Sequence, residues 1–66
     1  MQFMTYNKNV IDEVESDDRI DDMNVQNKEI YLTVCDPKVR NLVQSYYKKN
    51  YNVDVATRGL KIKIKW

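Results

Sequence analysis

Apolar positions in residues 36–50, read as D-P-K-V-R-N-L-V-Q-S-Y-Y-K-K-N, fall at Val39, Leu42, Val43, Tyr46 and Tyr47. The spacing i, i+3, i+4, i+7 and i+8 is the stripe of an amphipathic helix. Asp36 precedes it as a residue able to accept hydrogen bonds from the first free backbone N–H groups. Pro37 fits the first helical position, where a missing donor costs nothing. Lys48 and Lys49 fall in the last turn, at the negative end of the helix dipole. The pattern predicts a helix over about 37–50, with Leu42 and Val43 facing the core.

Around this helix the pattern changes to period two. Ile30, Leu32 and Val34 alternate with Tyr31, Thr33 and Cys35, and Tyr51, Val53 and Val55 alternate with Asn52, Asp54 and Ala56. Each run reads as a half-buried strand. Arg58-Gly59 holds the single glycine and sits between two alternating runs, as a hairpin turn does. Beyond it, Leu60, Ile62, Ile64 and Trp66 line one face of a final strand; Lys61, Lys63 and Lys65 line the other.

Upstream the pattern is weaker. Residues 1–6 read as a short strand. Val10, Ile11 and Val14 have helical spacing, with Asn9 a candidate cap and an end near Ser16. Residues 17–28 read as a linker or loop, with Ile20, Met23 and Val25 pinned to the core. The expected fold is one α+β domain spanning 1–66, a two-layer β-α-β-β sandwich. Its one amphipathic helix lies on a small mixed sheet, because strand–helix–strand order favours a parallel crossover. An acidic strand/helix element, 1–28, precedes the β-α-β-β core, 29–66.

Size sharpens the expectation. Ordering 66 residues costs on the order of 100 kcal/mol, at ~1.5 kcal/mol per residue. A chain this short needs a well-used core, a partner subunit, or both. A homodimer is expected, with Tyr51 and Trp66 as interface anchors, since tyrosine and tryptophan are common at such positions. One cysteine permits no internal disulfide and suggests a reducing compartment. With no apparent leader and no long apolar run, a cytoplasmic location without a membrane is expected. Abundant Lys, Asn, Ile and Tyr match AT-rich coding, which points to a phage or mobile element in a bacterial host.

Charge divides the chain. Residues 1–36 carry nine acids against three bases, or −6; residues 37–66 carry eight bases against Asp54, or +7. Either the halves neutralise each other in the fold, or each faces a partner. Asp12, Glu13, Glu15, Asp17, Asp18, Asp21 and Asp22 lie within eleven residues. The leading expectation is a small non-enzymatic binding protein acting on a host protein partner, and that density would also suit an inhibitor that mimics nucleic acid. The alternative is a nucleic-acid-binding module or small regulator using Lys61, Lys63, Lys65, Tyr31 and Arg58, whose cations would track phosphates while the ring stacks a base. Lysines on a terminal edge strand have a plainer role, since they block sheet-to-sheet pairing. A third reading is a purely structural assembly protein.

Little chemistry is available beyond binding. The chain has no histidine to serve as a base for Cys35, Ser16 or Ser45, and Asp36 opposes a thiolate next to it. One glycine cannot build a phosphate-cradling loop. The carboxylates lack the spacing of a calcium loop, and zinc lacks ligands. No catalysis, metal or cofactor is expected.

Overall fold

The computed structural model describes residues 8–66; the short strand read over residues 1–6 lies outside the described residues. The elements are α1 (Lys8–Glu15), β1 (Asp22–Gln26), β2 (Glu29–Thr33), α2 (Pro37–Asn50), β3 (Asp54–Arg58) and β4 (Lys61–Lys65). Both helices cover one face of a four-stranded sheet of order β1-β2-β4-β3. This is the expected two-layer α+β architecture. α1 crosses near β1, and α2 lies over β3 and β4.

The sheet is not mixed. Every neighbouring pair is antiparallel. β2 and β3 run the same way, as the crossover through α2 requires, but β4 is inserted between them. The central position goes to the strand with the sharpest alternation. Ile62 and Ile64 are fully buried there, whereas Val55 on the edge strand β3 is only half-buried. Placing β4 at an edge would forfeit part of that burial.

The stretch 17–28 is not a loop throughout. Residues 22–26 form β1, with Met23 opposite Leu32 and Val25 opposite Ile30 on the covered face. The hairpin is closed by Asn27–Lys28, and Lys28 holds a left-handed backbone at φ 59°. No glycine marks this turn, which is why the pairing is hard to see in the sequence. Gly59 adopts φ 61° in the second hairpin, between the paired residues Arg58 and Lys61.

α1 ends where the sequence suggests, but Asn9 lies inside the helix rather than capping it. Val10, Ile11 and Val14 are buried. The acidic segment is therefore part of the core's cover, not a separate arm. α2 has the expected bounds. The Asp36 carboxylate accepts from the Lys38 N–H at 2.6 Å, and the Tyr51 N–H closes the far end onto the Tyr47 carbonyl at 3.1 Å.

Leu42 departs from its expected place, being 61% exposed. The helix buries a narrower arc than the sequence stripe suggests: Val43 and Tyr47 fully, Val39 and Tyr46 in part. One residue is about 100° of helix rotation, which carries Leu42 away from the sheet once Val43 points into it. α1 covers the rest of that sheet face, so α2 needs no wider stripe.

Candidate functional site

Strand register fixes what lies side by side on the uncovered sheet face. Across β1, β2, β4 and β3, one row reads Asp22, Thr33, Lys61 and Arg58. The next reads Asn24, Tyr31, Lys63 and Ala56, and the third Gln26, Glu29, Lys65 and Asp54. The three lysines therefore share the open face with Tyr31, Thr33 and Arg58. They stand on a central strand flanked by pairing partners on both sides. Edge protection does not account for them.

The face is graded in charge. Lys65 has Glu29 and Asp54 directly opposite, on its two sides. Lys61 has Arg58 opposite on one side and neutral Thr33 on the other, and Lys63 lies between Tyr31 and Ala56. Lys61, Lys63, Lys65 and Arg58 enter no ion pair among the described residues. At the cationic end, the small Ala56 side chain leaves a shallow groove of about 320 Å³ lined by Tyr31, Thr57, Arg58, Lys61 and Lys63. The Tyr31 ring is 39% exposed. Its hydroxyl donates to Glu29 Oε1 at 2.6 Å, and this bond is the main reason its ionisation is pushed above the ordinary tyrosine range. The ring is thereby held beside the groove. Arg40 of α2 reaches the same hairpin, donating from Nη1 to the Gly59 carbonyl at 2.8 Å.

The acidic stretch is divided between internal and exposed groups. Glu13 accepts from the Tyr46 hydroxyl at 3.1 Å and the Tyr51 hydroxyl at 3.3 Å. Asp17 accepts from the Tyr47 hydroxyl at 3.1 Å and from Arg19 through Nε, Nη2 and the backbone N–H. The Arg19 hydrogen bond holds the Asp17 carboxyl below the usual carboxylate range. Burial first, then Asp17, push Tyr47 far above the ordinary tyrosine range. Asp12 pairs with Lys8 at 2.6 Å. Glu15, Asp18, Asp21 and Asp22 remain on the surface. The two halves of the chain thus meet through carboxylates and tyrosine hydroxyls; both ion pairs among the described residues lie within the acidic half.

Tyr51 stacks on Tyr47, with ring centroids 5.7 Å apart, and edges a depression of about 390 Å³ beside Asp12 and Glu13. Trp66 is half-buried against the core, and its indole N–H is buried with no acceptor among the described residues. Cys35 is an exposed free thiol. Among the described residues no cluster of three or more metal-ligating side chains occurs, and no helix is long and apolar enough to cross a membrane.

The chain matches no protein-family model, no curated protein and no solved structure. The candidate site therefore rests on its own geometry.

Sequence reasoning missed Ala56, whose importance comes only from its position across from Lys63. It also missed the tyrosine contacts of Glu13 and Asp17, which lie 30 to 38 residues away. Nothing local in the sequence signals either.

Proposed function

We propose that this chain is a small non-enzymatic binding protein whose open sheet face contacts the phosphate backbone of single-stranded nucleic acid. The observation that carries this reading is the position of Lys61, Lys63 and Lys65 on a central strand, free of ion pairs among the described residues and beside the exposed Tyr31 ring. Alternate residues on a strand are about 7 Å apart, close to the phosphate spacing of an extended strand. A tyrosine ring next to such a track offers a stacking surface that tolerates any base.

Fluorescence anisotropy with labelled oligo-dT and oligo-U over a salt series tests the proposal. Affinity should fall steeply with salt. The triple variant K61Q/K63Q/K65Q should reduce the slope of log affinity against log salt by about 2, at ~0.7 per phosphate contact on a single strand. Absence of binding at low salt would defeat the reading.

A protein partner recognised by the acidic surface is the second reading. It is favoured by the outward placement of Glu15, Asp18, Asp21 and Asp22. Glu13 and Asp17 support it less, being engaged with tyrosines. Neutralising the four exposed carboxylates should abolish capture of such a partner and leave oligonucleotide affinity unchanged or raised.

A further inference from the structure

β3 is an edge strand with an unusual lack of protection. Its register with β4 runs unbroken from Asp54↔Lys65 to Arg58↔Lys61, so no bulge twists the edge away. It contains no proline, and its middle is Val55, Ala56 and Thr57. Charges occur only at its two ends and are opposite in sign. Exposed edges of this kind normally carry lysine, proline or a bulge, because their free N–H and C=O groups template pairing with another chain.

From this we infer that β3 pairs antiparallel with β3 of a second copy of this chain, about a two-fold axis at Ala56. Ala56 then faces the partner's Ala56, Val55 faces Thr57, and Asp54 faces Arg58 twice, once on each side of the axis. A two-fold makes every contact occur twice, so the sequence of β3 need only complement its own reverse. Here it does: acid, apolar, small, threonine, base, with small at the centre where two side chains approach most closely. The other edge does not. Self-pairing of β1 about Asn24 would set Asp22 against Gln26, leaving its charge unmatched. Head-to-tail pairing of β1 with β3 would match Asp22 to Arg58 but set Asp54 against Gln26, giving one ion pair where the two-fold gives two.

The pairing is independent of the binding reading but has a consequence for it. An axis perpendicular to the sheet keeps both open faces on one side of a continuous eight-stranded sheet. The two Tyr31 rings would then stand five strand spacings apart, roughly 24 Å, on a single surface with the two basic grooves between them.

Sedimentation velocity and light scattering on the full chain at increasing concentration, with a charge swap, test the inference. The wild-type chain should reach twice its 7.9 kDa mass and stop there. Either single reversal, D54R or R58D, sets like charges opposite each other on both sides of the axis. Each should weaken dimerisation about tenfold or more, since like charges directly across strands oppose pairing. The double variant D54R/R58D restores both pairs and should recover the dimer. Circular dichroism of each variant separates loss of dimer from loss of fold. Hydrogen exchange on the wild type gives a second readout that needs no variant. Amides of β3 should gain protection as concentration rises, while those of β1 should not. A wild-type monomer at millimolar concentration, an open series of larger species, a failure of the double variant to recover, or protection gained at β1 would overturn the inference.

Discussion

The Tyr47 hydroxyl donates to Asp17 at 3.1 Å, joining α2 to the acidic segment through a carboxylate whose side chain is only 6% exposed. The tie converts part of an unfavourable run of like charges into a structural contact. Asp17 also gathers Arg19, whose guanidinium lies 5.3 Å from the centre of the Tyr46 ring. Removing the hydroxyl by Tyr47→Phe should cost about 1.5–3 kcal/mol, the usual range for one hydrogen bond to a charged acceptor. Asp17→Ala should cost more, because it strands the Tyr47 hydroxyl and frees Arg19 together. Urea denaturation of the two variants checks the order.

The same cluster sets the response to pH. Asp17 is held below its ordinary carboxylate range, chiefly by Arg19, so its stabilising contribution is present above about pH 4. It is lost as pH falls through the lowered folded value. Tyr47, Tyr46 and Tyr51 are shifted the other way, Tyr47 and Tyr51 chiefly by burial and Tyr46 chiefly by its bond to Glu13. Their contribution is complete below the unfolded tyrosine value near pH 10 and declines as pH rises from there towards the raised folded values. Thermal melts across pH should decline at both ends. Tyr47→Phe should reduce the alkaline decline.

The turns give a paired prediction. Lys28 pays for a left-handed backbone that a side chain disfavours by about 1–2 kcal/mol, so Lys28→Gly should stabilise the fold by about 0.5–1 kcal/mol after the greater freedom of glycine in the unfolded chain is counted. At Gly59, an added Cβ would meet nothing within 4 Å, so Gly59→Ala should destabilise through the backbone alone, by about 1 kcal/mol. Melting temperatures of the two variants should move in opposite directions.

Core substitutions distinguish the observed arc of α2 from the stripe read in the sequence. Leu42→Ala should change stability by less than about 0.5 kcal/mol, as exposed positions do. Ile64→Ala, at a fully buried position of β4, should cost about 2–5 kcal/mol. Chemical denaturation of both variants makes the comparison.

These contrasts show where the sequence was legible. α2, its caps and the alternation of β2 and β4 follow from local chemistry: Asp36-Pro37, period-two isoleucines, and Gly59. β3 spans Asp54–Arg58, later than the alternation from Tyr51 suggests, because Tyr51 is taken as the cap of α2. The shared face of Tyr31 with the lysines was equally readable, because alternation settles it once strands are assigned. Strand order was not, since the insertion of β4 between β2 and β3 depends on which strand gains most from central burial. Nor was β1, whose Asn27–Lys28 turn relies on a strained lysine. The fate of the carboxylates was hidden for a similar reason. Glu13 and Asp17 look like their exposed neighbours until the tyrosines of α2 are brought to them by the fold.

Mapping amide shifts shows which face of the sheet meets nucleic acid. In a ¹H–¹⁵N NMR titration with a twelve-nucleotide oligo-dT at low salt, shifts are expected at Tyr31, Thr33, Ala56, Arg58, Lys61 and Lys63, on the open face. The amides of α1 and the first turns of α2 should remain in place. Shifts confined to the helical side, or none at any residue up to millimolar oligonucleotide, would contradict the proposed binding face.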